Sequence, residues 1–334
     1  MAKYLPDSLI EAIMRPMRPK VISRITGIKS KTGAETEGLF IGLPFTPRQM
    51  IKTVPLEVVY KKIVACAELA AANGAEIIGL GAFSSVVGDG GVTVAKRSPI
   101  AVTTGNSYTV ATAIQGTVKA CGLIGVDVPR AKLAVVGATG SIGKTCALVL
   151  GRQFASTVLI GRDLERTQAV ADELPGAVAT TSIDALRDAD AIVTVTSDDA
   201  EIIMPEHLKP GAVVCDVARP RDVSLRVSRE RPDVLVIEGG VVRVPGDVDF
   251  GFNFGFPPHT AYACMSETMM LALEGRAESF TLGKDVSVAQ VDETIRLAEK
   301  HGFELAGFRS FEKAVDEAAI ERARSARFKS DSAA

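Results

Sequence analysis

The chain has 334 residues, of which 47% are hydrophobic, enough for two domains with a large buried core. Its 38 basic and 40 acidic residues give a formal net charge of −2, which argues against a general affinity for nucleic acid. No run approaches the roughly 18 consecutive apolar residues of a membrane span.

The first stretch, MAKYLPDSLIEAIMRPMRPK, lacks a secretory apolar core and cleavage site, so the cytoplasm is the expected compartment. Within it, SLIEAIMRPMRPK is amphipathic and basic. It reads first as a docked helix, with contact to a membrane surface or an acidic carrier as the other use. Val21 to Pro44 reads as a hairpin turning at SKTGA, and Val58 to Ala72 as a helix closed by Asn73-Gly74. AEIIGLGAF reads as a buried strand entering a glycine-rich loop, and IAVTTGNS as a strand leading into a helix from about Ser107 to Cys121.

From Lys132 the pattern becomes regular: strand KLAVVGA, helix Ser141–Phe154, strand STVLIG, helix Leu164–Leu174, then strands DAIVTVT, GAVVCDVA and DVLVIEGG. Continuous apolar strands alternating with helices predict a parallel sheet covered on both faces. A phenylalanine-rich stretch, DFGFNFGFPPHT, a helix from about Ala261 to Gly275 and two further helices follow, and the tail KSDSAA reads as frayed. The expected fold class is α/β, a Rossmann-like doubly wound parallel sheet in three consecutive parts. These are an N-terminal α/β substrate domain (1–130), a nucleotide domain (131–248) and a C-terminal helical segment (249–334).

The stretch VVGATGSIGKTCALVL can hold a nucleotide in two ways. Ala138 to Thr145 fits a relaxed Walker A loop, whereas Gly137, Gly140 and Gly143 form the three-glycine turn of a dinucleotide site. The strand runs directly into Gly137 and no downstream aspartate has clear support as a magnesium ligand, Asp216 included, so the dinucleotide reading prevails. Expected cofactor contacts on the turn are Gly137, Thr139, Gly140, Ser141, Ile142 and Gly143. Thr196 and the pair Gly239 and Gly240 follow later strands and complete the set. After the second strand, Arg162 and Arg166 offer guanidinium forks for a 2′-phosphate, which points to NADPH. Asp163 has a competing structural role as a helix N-cap.

Cysteines 66, 121, 146, 215 and 264 are an odd, scattered set without a CxxC pair, so neither a disulfide framework nor a metal site is expected. Cys264 stands near the start of a helix, where the dipole lowers a thiol's pKa and activates it as a nucleophile. Glu267 shares its helical face and His259 lies just ahead; both are candidate proton carriers. Phe83, Ser84, Thr104, Asn106 and Phe254 are candidate substrate contacts. Each has a structural alternative: the alternating Phe250, Phe252, Phe254 and Phe256 also suit wall packing, and Glu267 also suits an ordinary helix carboxylate.

The motifs GLGAFSSVV, TTGNSYT, LAVVGATGSIG, GGVV, DVDF and ACMSETMMLALEG occur in this order, and with them the chain resembles the long-chain acyl-(acyl carrier protein) reductase family from about Val21 to Phe308. The resemblance implies NADPH-dependent reduction of an acyl thioester to a fatty aldehyde, with Cys264 as the acylated cysteine and the cofactor on Gly137, Gly140 and Gly143. It implies an acyl carrier protein, or coenzyme A, as acyl donor. Two rivals stay open: a dehydrogenase of a small hydroxy or oxo acid, similar in plan to shikimate dehydrogenase, and a non-catalytic NADPH-sensing protein. Homo-oligomerisation is also left open.

Overall fold

The computed structural model describes residues 6–196, 200–218 and 220–331. In chain order the first elements are α1 (Asp7–Met14), β1 (Lys20–Lys29), β2 (Glu35–Gly42), α2 (Leu56–Ala72), β3 (Ile77–Gly79), α3 (Val92–Arg97), β4 (Ala101–Thr103) and α4 (Asn106–Ile124). Next come β5 (Lys132–Val136), α5 (Ser141–Leu150), β6 (Ser156–Ile160), α6 (Leu164–Ala171), β7 (Ala177–Thr180), β8 (Ala191–Thr194), β9 (Val213–Asp216), α7 (Leu225–Glu230) and β10 (Leu235–Glu238). The chain continues through β11 (Val241–Arg243), β12 (Gly246–Asp249), β13 (Thr260–Tyr262), α8 (Ala263–Leu273), α9 (Val288–His301), β14 (Glu304–Leu305), β15 (Arg309–Ser310), β16 (Lys313–Ala314) and α10 (Glu317–Asp331).

Two compact units emerge. The first takes the chain up to Gly105 together with Arg243–Lys284 and Thr294–Glu304; the second takes Asn106–Val242, Asp285–Glu293 and the chain from Leu305. These units do not coincide with the three consecutive segments expected from the sequence. α4 packs on β8, β9 and α5 and so sits with the nucleotide sheet, although it precedes Lys132.

The second unit is built on a six-stranded parallel sheet in the order β10-β9-β8-β5-β6-β7. Strands β5, β8, β9 and β10 are buried along nearly their whole length because both faces are covered, whereas the edge strand β7 is partly exposed. Ala134, Val136, Ile192, Val214 and Val236 bury one face against Leu186, Leu208 and Val227. On the other face Gly116 of α4 leaves room for Ile237, and the Cys215 thiol lies 3.9 Å from the Ala113 carbonyl. The strand β7, which the sequence pattern does not reveal, extends the sheet beyond β6.

In the first unit β1 pairs antiparallel with both β2 and β12, and β3 pairs with β4 in parallel. The expected hairpin and the helix ending at Asn73-Gly74 are both present. AEIIGLGAF differs from its expectation: β3 has only three residues, none of them buried, because β4 flanks it in a sheet of just two strands. Phe45, Val59, Ile63, Leu80, Val94 and Val102 form the core. α1 is docked by its polar side: Glu11 is buried, accepts two hydrogen bonds from Arg48 and one from Thr46, and leaves Leu9 and Ile13 exposed.

Smaller differences concern helix ends. Tyr262 is the last residue of β13, so the cysteine helix begins at Ala263 rather than Ala261, and α5 stops at Leu150 rather than Phe154. α10 continues to Asp331; the last residues of the expected frayed tail lie outside the described ones. Among the described residues no helix is long and apolar enough to cross a membrane.

Candidate active site

In the nucleotide sheet the strand order reverses between β5 and β8, the position where ligands of open α/β sheets bind at the carboxyl ends of strands. β5 ends at Val136, and Gly137 turns the chain with φ +80°, a left-handed conformation that glycine adopts without strain. The amides of Gly137 and Ala138 donate to the Ile160 carbonyl, 2.9 and 3.3 Å away. A Cβ on Gly143 would overlap the Gly137 carbonyl, so glycine at 143 permits the close approach of turn and helix. Gly140 is exposed, and Thr139, Ser141 and Ile142 are half-buried around it. No side chain caps α5, so its first-turn amides are not taken by a capping group. This arrangement fits a pyrophosphate: uncapped N–H groups at the positive end of a helix, reached over a residue without a side chain.

The other features of this unit bear on which nucleotide fits. Lys144 pairs with Glu173 at 2.8 Å, and the Asp216 carboxylate accepts the amides of Ala218 and Val223 at 3.1 and 3.0 Å. Both groups that a Walker reading would need are thus held by neighbours. Asp163 caps α6, accepting from the Arg166 amide at 3.1 Å, and Arg162 and Arg166 are exposed beyond β6 together with Glu165. Thr196 follows β8, and both its amide and its hydroxyl donate to the buried Asp222 carboxylate. Gly239 and Gly240 form a buried turn after β10, where a Cβ on Gly239 would press on Val217. Asn106 is buried at the start of α4.

The first unit holds Cys264, Glu267, His259, Thr104, Phe83, Ser84 and Phe254. Cys264 lies in the first turn of α8, an 11-residue helix whose N-cap, Tyr262, makes no side-chain cap bond. It is half-exposed, whereas the other four cysteines are buried. Burial pushes the thiols of Cys66 and Cys121 up to about 12, so both stay protonated at neutral pH, and it pushes Cys146 upward as well.

Gly105, with φ +74°, lies directly against Cys264: any Cβ at 105 would overlap the cysteine's Cα, Cβ and carbonyl oxygen. One turn along α8, Glu267 is fully buried and accepts hydrogen bonds from the hydroxyls of Thr103 (2.5 Å) and Thr281 (2.9 Å). Thr104 is also buried, with its amide and hydroxyl donating to the Thr281 carbonyl at 2.9 and 3.1 Å, so its polar groups serve the interior. The Ser84 hydroxyl donates to the Gly81 carbonyl at 2.7 Å, and Phe83 packs on the core.

His259 adopts φ +59°, its Nε2 lies 3.7 Å from the Asp247 carboxylate, and its buried Nδ1 has no hydrogen-bond partner. Phe254 belongs to a continuous run of rings: Phe40, Phe252, Phe254, Phe256 and Tyr262 follow one another with centroids 4.5–5.6 Å apart, and Phe250 joins at Phe254. The run ends on the N-cap residue of the cysteine helix. Thr103 and Thr281 escaped sequence reasoning; the available signal was a carboxylate inside the nearly all-apolar stretch ACMSETMMLAL. Among the described residues no cluster of three or more His, Cys, Asp or Glu side chains is placed to hold a metal ion.

Residues 122–237 match the family model described as shikimate / quinate 5-dehydrogenase. The aminotransferase PigE of Serratia sp. is 32% identical over 299 residues, covering 86% of this chain and 35% of that one. The long-chain acyl-[acyl-carrier-protein] reductase of Synechococcus elongatus is 28% identical over 301 residues, 86% of this chain and 87% of the relative. The nucleotide-binding domain of glutamyl-tRNA reductase from Thermoplasma volcanium is 20% identical, with a TM-score of 0.29 over 38% of this chain and 84% of that one. The chain thus spans about a third of the length of PigE and most of the length of the reductase. Residues 122–237, on the six-stranded parallel sheet with its glycine turn, form a dehydrogenase-type domain that binds a nicotinamide dinucleotide.

Proposed function

We propose that the protein reduces a long-chain acyl thioester to an aldehyde with NADPH, through an acyl-cysteine on Cys264. The observation that carries this reading is Cys264 itself, the one of five cysteines that is not buried, in the first turn of α8, whose N-cap residue Tyr262 makes no side-chain cap bond. The helix dipole favours the thiolate, which is both a good nucleophile and a good leaving group. The aromatic run ending at Tyr262 suits an apolar acyl chain, and the similarity to the Synechococcus reductase along most of both chains supports the same chemistry.

Thiolate Sγ of Cys264 attacks the thioester carbonyl carbon, the carrier's sulfur departs as the leaving group and takes up a proton, and the acyl group stays on Cys264. First-turn amides of α8 stabilise the oxyanion that develops on the carbonyl. NADPH, when bound, supplies the hydride that brings the acyl carbon to the aldehyde level, and Cys264 leaves as thiolate. The turn from Gly137 to Gly143 holds the pyrophosphate, Thr196, Gly239 and Gly240 border the rest of the cofactor, and Arg162 and Arg166 receive the 2′-phosphate. His259, with an unpartnered Nδ1, is the candidate proton carrier.

The donor is an acyl carrier protein or coenzyme A. The outward Leu9, Ile13 and Met17, flanked by exposed Arg15, Arg18 and Lys20, give the protein a face for an anionic membrane surface. A second reading, a dehydrogenase of a small hydroxy acid, is favoured by the family match at 122–237 and needs no thiol.

Incubation with an acyl thioester in the absence of NADPH separates the two. The expected result is a mass increase equal to the acyl group, mapped to Cys264, and aldehyde on addition of NADPH. Cys264→Ser keeps the fold and cofactor affinity but loses both. An adduct at another residue, or a normal rate of aldehyde formation by Cys264→Ser, overturns the thioester route.

A further inference from the structure

We infer that Glu267 is a positioning residue that holds the Thr103–Gly105 segment against Cys264, and that it relays no proton in the reaction. The inference rests on Cys264 being the nucleophile. Glu267 is three residues beyond Cys264, hence on the same face of α8, and its side chain is sealed from solvent. One carboxylate oxygen accepts both hydroxyls, from Thr103 at the end of β4 and from Thr281 beyond α8. The Thr281 amide in turn donates to the Thr103 hydroxyl at 3.2 Å, and the Thr281 carbonyl accepts from Thr104. The three segments are therefore tied to one another at a single point.

The consequence falls two residues after Thr103, where Gly105 meets the backbone of Cys264 with no room for a Cβ. Contact that close persists only while the end of β4 is held, and the bonds through Glu267 hold it. A buried acceptor with satisfied donors rigidifies its surroundings, whereas a proton carrier needs a path to the reacting atoms.

Three variants test this. Glu267→Ala removes the acceptor, Thr103→Val removes one hydroxyl at nearly constant shape, and Glu267→Gln keeps an oxygen able to accept both hydroxyls but cannot relay a proton. The substrate-free readout is the rate of iodoacetamide labelling at Cys264, mapped by peptide mass, with buried Cys66 of the same unit as the control for general unfolding. In Glu267→Ala and Thr103→Val, Cys264 should be labelled several-fold faster while Cys66 stays protected. Their kcat for the thioester should fall roughly 10- to 100-fold with KM little changed, the usual cost of misplacing a reacting group. Glu267→Gln should restore both readouts to within a few-fold of the unaltered protein.

A Gln variant as slow as Ala, with unchanged labelling, would make Glu267 a proton carrier and overturn the inference. So would labelling of Cys66 together with Cys264, or no change at Cys264 in Ala and Val. If the unaltered protein turns over no thioester, the proposed function fails, and the labelling arm still decides the role of Glu267.

Discussion

Gly105 and Cys264 touch backbone to backbone, on two segments more than 150 residues apart in sequence, and the contact leaves no space for a side chain at 105. Gly105 also holds φ +74°, where an alanine is strained. Gly105→Ala should therefore cost roughly 2–4 kcal/mol of stability, the combined magnitude of left-handed strain and overpacking. Urea unfolding and Cys264 labelling check this together: a variant as stable as the parent, with Cys264 equally reactive, would contradict the packing described.

Cofactor preference should rest on the two arginines beyond β6. Arg162→Ala is expected to weaken NADPH binding by about 1.5–3 kcal/mol, the range for a hydrogen bond to a charged group, while NADH binding barely changes. Fluorescence titration with both cofactors measures the difference. Equal losses for the two would remove Arg162 from the 2′-phosphate.

Alkaline pH should weaken the fold through its buried thiols. Burial raises Cys66 from 9.0 to about 12, so as pH climbs past 9 the unfolded chain loses this proton first. Stability that is fully present below about pH 9 is then lost towards pH 12, by about 1.4 kcal/mol per pH unit for each such thiol. Cys121 adds to the same window. Urea unfolding at about pH 8 and about pH 10 should show a smaller loss for Cys66→Ala than for the parent; identical losses would show that Cys66 does not titrate in this way.

α1 turns the Glu11 carboxylate inward and Leu9 and Ile13 outward. Vesicles of phosphatidylglycerol should therefore sediment with the protein, and vesicles of phosphatidylcholine should not. Leu9→Ser combined with Ile13→Ser should weaken the interaction at least about tenfold, given the apolar area removed. Unchanged sedimentation of the double variant would exclude α1 as the contact.

Sequence alone was enough for the glycine turn and five strands of the nucleotide sheet because their determinants are local, whereas the membership of α4 and of the chain from Leu305 in that unit was not legible. Strands β5, β6, β8, β9 and β10 have apolar centres with polar residues confined to their ends, and Gly137, Gly140 and Gly143 stand at fixed spacing between a strand and a helix. Asp163 announced its own role, since an aspartate one residue before a helix satisfies a free amide within the same turn. β7 went unread because AVAT is too short to show a period, and it exists by pairing with β6.

Tertiary structure decided what no local pattern carries. That four cysteines are buried and Cys264 is half-exposed depends on which helix faces pack inward. The joining of Thr103, Thr281 and Glu267 depends on chain segments up to 178 positions apart meeting at one buried carboxylate. Thr104 shows the same division: a threonine beside a glycine after a strand looks available for substrate, yet its hydroxyl satisfies the Thr281 carbonyl in the interior. Helix signals, strand periods and glycine turns act within a few residues and survive in the sequence, whereas burial and hydrogen-bond partnership are settled by long-range packing, which a one-dimensional pattern does not record.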